Sequence, residues 1–147
     1  MFETIVWATD GSELADRALT LVTDLAGTHG SKIVAVHANE LLAGRFGSAP
    51  LLADEPDLRV RIEQQVADLR ASGFAVELKV ETGARHNAAQ LIAEAARQVD
   101  ADLIVVGTHG HGAATSAVLG SVAKGLLHVA PCPVLAVTPA RERVAVG

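Results

Sequence analysis

Short apolar runs alternate with helical periods from one end of the chain to the other, and no other feature restricts its fold as much. Thr4–Thr9 (TIVWAT) predicts a strand that ends at Asp10-Gly11. Ser12 is then placed as a helix N-cap, with Glu13 and Asp16 in the first turn. Leu14, Ala18, Leu21, Val22 and Leu25 share one helix face, and Gly27 and Gly30 mark its end. Lys32–Ala38 predicts the second strand. Asn39 to Pro56 reads as a long connection holding Gly44, Gly47 and Pro50, and connections of that length are usually functional. Leu58, Ile62, Val66 and Leu69 predict a helix closed by Ser72-Gly73, and Phe74–Val80 alternates as a strand. Ala88, Leu91, Ile92, Ala95 and Ala96 form a third helical face. Leu103–Val106 is a continuous apolar run, as in a strand covered on both sides. A glycine-rich segment, a helix over Ser121–Val129 and a strand over Val134–Val137 complete the order.

The order β-α-β-α-β-α-β-α-β implies an α/β fold, a doubly wound parallel sheet with helices on both faces and right-handed crossovers. At 147 residues one domain, 1–147, is expected, with 138–147 as a short tail. A chain of about that size buries enough surface to need no metal or disulfide staple. Net charge is −5, from 12 basic and 17 acidic residues, so no basic excess offers itself to nucleic-acid phosphates. Three Phe, one Trp and no Tyr leave almost no platform for stacking bases. A single cysteine, Cys132, suits a reducing compartment. The opening MFETIVWATDGS lacks the basic and long apolar stretches of a signal peptide, and no apolar run reaches about 18 residues. A cytoplasmic protein without a membrane or nucleic-acid partner is expected.

Ligands on such sheets bind beyond the carboxyl ends of the strands, where strand order reverses. Two loops lie at such ends: Asp10-Gly11-Ser12, and the segment from Gly107 to Ser121. The second holds Gly107, Gly110, Gly112 and Gly120 and leads into a helix. Glycines allow close backbone approach, and a helix N-terminus presents unpaired N–H groups with partial positive charge. Together they suit an anion, most naturally phosphate; a Gly-capped surface loop is the plain alternative. A P-loop is excluded because no lysine separates Gly120 from Ser121, and Lys124 lies a turn later. A Rossmann fingerprint is excluded because Gly110-His-Gly112-Ala-Ala-Thr115 follows the fourth strand and ends in Thr.

Gly107-x2-Gly110-x9-Gly120-Ser121 resembles the G-x2-G-x9-G-S/T nucleotide signature of the universal stress protein family. The likeness extends to Thr9-Asp10-Gly11-Ser12, His37, the stretch Ala101 to Gly107, Gly120-Ser121-Val122-Ala123 and Ala130-Pro131-Cys132-Pro133-Val134-Leu135. The resemblance implies a five-stranded parallel sheet of order 3-2-1-4-5, a homodimer often formed through the last strand, and the ATP-binding branch of the family. It places Ala8 beside the adenine, Asp10 on the adenosine part, and Ala38 and Val106 at the adenine and ribose. It gives Gly107, Gly110, Gly120, Ser121 and Val122 to the phosphates, mostly through backbone N–H groups. The sequence departs from that pattern at Ala8, where the family often has Pro, and at Ala123, where binders often carry a hydroxyl. With a net charge of −5, ATP must be attracted by local dipoles and by Mg²⁺ or Mn²⁺ bridging its phosphates.

The remaining chemistry-bearing residues read plainly. Asp10 lacks the neighbouring acids and fifth-strand lysine of a phosphoacceptor, since that strand runs into Thr138-Pro139. His109 and His111 with His86 or His128 make only a fragment of a metal site. His37 reads as a hydrogen-bonded residue at a strand end, and Cys132 as small and buried. Gly125 lies inside the last helix at a cost of about 1 kcal/mol against Ala, with no functional reason in the sequence. No catalytic triad assembles, and Gly-x-Ser-x-Gly is absent. The expected function is a nucleotide-dependent stress-response regulator or switch acting on an unknown downstream protein, with at most slow ATP hydrolysis. The alternatives are a genuine ATP-hydrolysing enzyme of the same fold, a cAMP or AMP binder, and a partner-binding protein with a vestigial site.

Overall fold

The computed structural model describes residues 1–44, 47–50, 55–83, 87–109 and 119–140, with backbone alone over 40–44, 47–50 and at 55. The elements are β1 (Thr4–Ala8), α1 (Glu13–His29), β2 (Lys32–Gly44), β3 (Gly47–Pro50), α2 (Glu55–Ala71), β4 (Val76–Gly83), α3 (Ala88–Gln98), β5 (Leu103–Gly107), α4 (Ser121–Val129) and β6 (Val134–Val137). Five strands run parallel in the order β4-β2-β1-β5-β6. That is the expected 3-2-1-4-5 sheet, counted without β3. The strip from Asn39 to Pro56 corrects the expectation of a plain connection. β2 continues to Gly44, and β3 returns antiparallel beside it, pairing Leu41 with Pro50 and Gly44 with Gly47.

Side-chain alternation divides the apolar residues between two faces of the sheet. Val6, Ala8, Val34, Val36, Ile104 and Val106 pack with Ile92 and Ala96 of α3 and Ala123 and Leu126 of α4. Ile5, Trp7, Ile33, Ala35, Leu103 and Val105 pack with Ala18, Val22 and Ala26 of α1 and Val66 of α2. Each fully buried aliphatic side chain contributes roughly 1.5–3 kcal/mol, which explains a core that needs no staple.

The helix ends follow local chemistry. Ser12 caps α1, its Oγ accepting from the Ala15 N–H at 3.3 Å. Gly30, at φ 68, closes that helix, whereas Gly27 lies inside it, against expectation. Asn87 and Gln90 form a capping box on α3. At the opposite end of the sheet the Asp102 carboxylate accepts from the Glu3 and Thr4 N–H groups at 2.8 and 2.9 Å. The Thr4 bond, then the Glu3 bond, hold its carboxyl below the usual range.

Gly125 has a packing reason. A Cβ there would lie 2.7 Å from the Ala89 Cβ. α4 therefore rests its backbone on the Ala89 methyl of α3, an approach that any side chain at 125 would block. Among the described residues no helix is long and apolar enough to cross a membrane.

Candidate functional site

Strand order reverses between β1 and β5, and the candidate residues gather at the carboxyl ends of β1 and β5, with Ala38 within the neighbouring β2. Ala8 and Val106 are buried in the face under α3 and α4, and Ala38 and Val122 pack half-buried against the same cluster. Ala8, Ala38 and Val106 occupy the same phase of the strand alternation, and Val122 of α4 packs on that face, so the four make one aliphatic wall. Trp7 has the opposite phase. Its indole is fully buried on the other face and donates to the Ala15 carbonyl at 3.0 Å, so it reports on the first turn of α1 and does not line the wall.

The turn from Thr9 to Ser12 is held at every residue. The Thr9 N–H donates to the Val36 carbonyl at 3.0 Å. The His37 ring donates from Nδ1 to the Thr9 carbonyl at 2.9 Å; a carbonyl only accepts, so the proton resides on Nδ1. His37 is 1% exposed and braces the turn by a hydrogen bond, as expected, but from the middle of β2 and not from its end, because that strand continues to Gly44. The Gly11 N–H donates to Thr9 Oγ1 at 3.2 Å, and the Ser12 N–H to Asp10 Oδ1 at 3.0 Å. Gly11 has φ +75, and a Cβ on it would meet Leu58 Cδ2 at 2.8 Å. Glycine is required there twice, by backbone conformation and by space.

Across the reversal point, Gly107 ends β5 under Leu14, whose Cγ would stand 3.0 Å from a Cβ at 107. The two ends of the glycine segment meet. The Gly120 N–H donates to the Thr108 carbonyl at 2.6 Å, and a Cβ at 120 would lie 2.7 Å from that oxygen. Gly120 has φ −62, so its need for glycine is steric and not conformational. It also caps α4. The first helical bond runs from the Lys124 N–H to the Gly120 carbonyl at 3.0 Å, leaving the Ser121, Val122 and Ala123 amides ahead of the ladder. No side chain caps this end, and no acid occupies its first turn. Among the described residues no side chain or first-turn acid compensates its partial positive charge at the cap. Two buried polar atoms close by, Thr108 Oγ1 and His109 Nδ1, have no hydrogen-bond partner among the described residues. Buried polar groups are normally paired, so two orphans beside an uncapped helix start suit a polar ligand.

The structure brings together Ala8, Asp10, Ala38, Val106, Gly107, Gly120, Ser121 and Val122. Gly110 lies outside the described residues, as do His86 and His111. Among the described residues no three of His, Cys, Asp and Glu group as metal ligands. His128 is exposed in the last turn of α4. Cys132 is half-buried and packs against the α3–α4 face, less enclosed than expected. Burial, then the charge of Asp102, pushes its thiol above the ordinary value. The neutral thiol therefore dominates at pH 7. Alkylation of Cys132 by iodoacetamide is expected to rise only at a pH higher than for free cysteine, as mass spectrometry of pH-stepped labelling would show.

Sequence reading missed three contributors on α2. Leu58 packs beneath Gly11. Arg61 donates to the Gly11 carbonyl and to Asp16, and Gln65 Nε2 donates to Asp16 Oδ1 at 2.8 Å. Nothing in the local pattern marks Arg61, an exposed basic residue on an ordinary helix face; only the meeting of α2 with the turn gives it a role.

The family model of the universal stress protein family matches residues 1–138. A universal stress protein of Thermus aquaticus is 39% identical over 145 residues, covering 93% of this chain and 99% of that one. A solved universal stress protein family structure from Burkholderia pseudomallei superposes with TM-score 0.68 at 30% identity, covering 94% of this chain and 96% of its own. A universal stress protein solved in complex with cAMP superposes with TM-score 0.65 at 25% identity, covering 92% and 96%. With the strand order, the reversal-point turn and the profile over nearly the whole length in agreement, the chain belongs to the universal stress protein family.

Proposed function

We propose that this protein is a single nucleotide-binding domain, 1–147, that takes up ATP as a stress-response regulator, with at most slow hydrolysis. One observation carries the reading: the uncapped start of α4 stands beside the orphaned Thr108 Oγ1 and His109 Nδ1, next to an aliphatic wall at the strand reversal. Ala8, Ala38 and Val106 would enclose the adenine by van der Waals contact, since aromatics are scarce. Asp10, whose Oδ1 accepts from the Ser12 N–H, would hold the ribose hydroxyls. Gly107, Gly110, Gly120, Ser121 and Val122 would meet the phosphates, chiefly through amides. Mg²⁺ or Mn²⁺, held mainly by the phosphates, would supply the charge neutralisation that a chain of net charge −5 lacks. No residue is assigned as general base, and the reading requires none. The apolar edge strand β6, where Leu135 is 36% exposed, supports a homodimer through that edge. The downstream protein partner and cytoplasmic residence belong to the same proposal.

A second reading, a cAMP or AMP module, is favoured by Ala123, which offers only its amide, and by the relative solved with cAMP. Calorimetric titration with ATP, ADP, AMP and cAMP, with and without Mg²⁺, tests both. Saturable binding of ATP, strengthened by Mg²⁺ and resistant to millimolar cAMP, is the expected result. Displacement of ATP by cAMP at equal concentration would move the assignment to the second reading. Steady Mg²⁺-dependent phosphate release that collapses in Asp10→Ala would instead make the protein an ATP-hydrolysing enzyme.

A further inference from the structure

The turn bearing Asp10 does not stand on its own strand alone. Arg61 reaches it from α2, fifty residues along the chain, and its guanidinium divides between two acceptors. Nη1 donates to the Gly11 carbonyl at 2.9 Å, and Nη2 to Asp16 in the first turn of α1. Gln65, one turn further along α2, adds a bond to the other Asp16 oxygen. Leu58, one turn earlier, fills the space under Gly11 that a side chain there would take. Three successive turns of α2 therefore grip the turn and the helix start that follows it.

An exposed ion pair alone contributes little to stability, and both Arg61 and Asp16 are substantially exposed. A planar fork that ties a main-chain carbonyl to a carboxylate does something different: it fixes the relative position of two groups. Gly11 has φ +75, a residue with many alternatives when its carbonyl is released. The Gly11 carbonyl shares its peptide unit with the Ser12 N–H, which donates to Asp10 Oδ1 at 3.0 Å, so the orientation of the Asp10 carboxylate depends on that unit. We propose that Arg61 is a positioning residue for nucleotide binding, holding the Gly11 carbonyl and Asp16 so that Asp10 is preset toward the ribose. The inference rests on the nucleotide-binding reading above. It makes α2 part of the site, although among the described residues none of α2 belongs to the cluster of Ala8 and Val106. Ligand uptake and the placement of α2 are then one linked equilibrium.

The test is calorimetry with Mg²⁺-ATP on the full chain and on Arg61→Ala, Arg61→Lys, Asp10→Ala and the Asp10→Ala/Arg61→Ala pair. Arg61→Ala is expected to weaken ATP about tenfold, the loss of a charge-assisted contact that fixes geometry. Lysine, a single point donor, should recover less than half of that loss on a logarithmic scale. In the Asp10→Ala background the Arg61 change should cost less than about twofold more, because both act through one carboxylate. Trp7 emission, tied to Ala15 in the first turn of α1, should report an intact fold in each variant. Wild-type binding with an unchanged affinity in Arg61→Ala, or full additivity of the pair, overturns the positioning role and leaves the nucleotide reading standing. If Arg61→Ala does not fold, Arg61→Lys decides alone: wild-type affinity there overturns the proposal. A wild-type chain with no saturable ATP binding overturns the nucleotide reading and the positioning role together.

Discussion

Gly120→Val is expected to abolish useful nucleotide affinity and to lower stability in the same step. The added Cβ would stand 2.7 Å from the Thr108 carbonyl oxygen, a backbone atom that no rotamer change can move aside. The two ends of the glycine segment must separate, breaking the 2.6 Å bond between the Gly120 N–H and that carbonyl. Overpacking of this kind costs about 2–3 kcal/mol. Displacing the start of α4 by about 1 Å from the phosphates would weaken binding by roughly 100-fold. Ser121→Ala separates the two effects. Ser121 is exposed and its amide survives the change, so stability should stay within about 0.5 kcal/mol while affinity falls several-fold. Thermal melts beside calorimetry on both variants check this. A Gly120→Val protein that melts with the wild type would show that the segment's ends are not held as described. Loss of binding in Gly120→Val is therefore no proof by itself that position 120 touches phosphate; Ser121→Ala tests a phosphate contact at the start of α4 without the stability loss.

Gly125→Val carries the other large effect, and it falls on stability without touching the site directly. The 2.7 Å approach to the Ala89 Cβ leaves no room for a branched side chain between α3 and α4. The helices must part, and Ile92, Ala96 and Leu126 in the cluster behind them lose contact. A cost of about 3 kcal/mol is expected, which lowers Tm by roughly 10 °C for a domain of this size. Gly125→Ala tests the same contact more finely. Its helix-propensity gain of about 1 kcal/mol is opposed by the clash, so it should destabilise slightly or break even. Ala89→Gly opens the space and should turn Gly125→Ala favourable, giving a coupling of about 1–2 kcal/mol in the double-mutant cycle. Strict additivity would mean that the helices are not in contact at this pair.

Gly125 also shows where sequence reading stops. Helix propensity records only what a glycine loses within its own helix; the gain lies on Ala89, thirty-six residues earlier, and no local pattern contains it. The parallel sheet was legible because Ile5, Val34 and Ile104 sit in apolar runs too short for helices, each followed by a helical face. The caps at Ser12 and Gly30 follow from side-chain chemistry within one turn. β3 was illegible for the opposite reason. Gly47, Ser48, Ala49 and Pro50 are poor strand formers, and their pairing to β2 is made by backbone without a side-chain signature. At the site, the fixed glycine spacing and the turn after β1 were readable, since the fold alone brings those loops to one end. Arg61 was not, because its partners are a carbonyl and a carboxylate that any exposed arginine could find. The Thr108 hydroxyl was equally silent, since its burial without a partner is a tertiary property that no local pattern carries.

The phase of β1 has a consequence for how such a chain can vary. Trp7 and Ala8 are neighbours on opposite faces, one inside the layer under α1 and the other in the wall beside Val106. Inserting or deleting a single residue upstream of them within β1 would exchange the two. An indole would then stand where an adenine is proposed to lie, and a methyl would be left against Val22 and Val105, with a void beside it. Changes of length are therefore confined to the connections between elements, and within β1 even a one-residue frame change removes the ligand's berth and the core packing together.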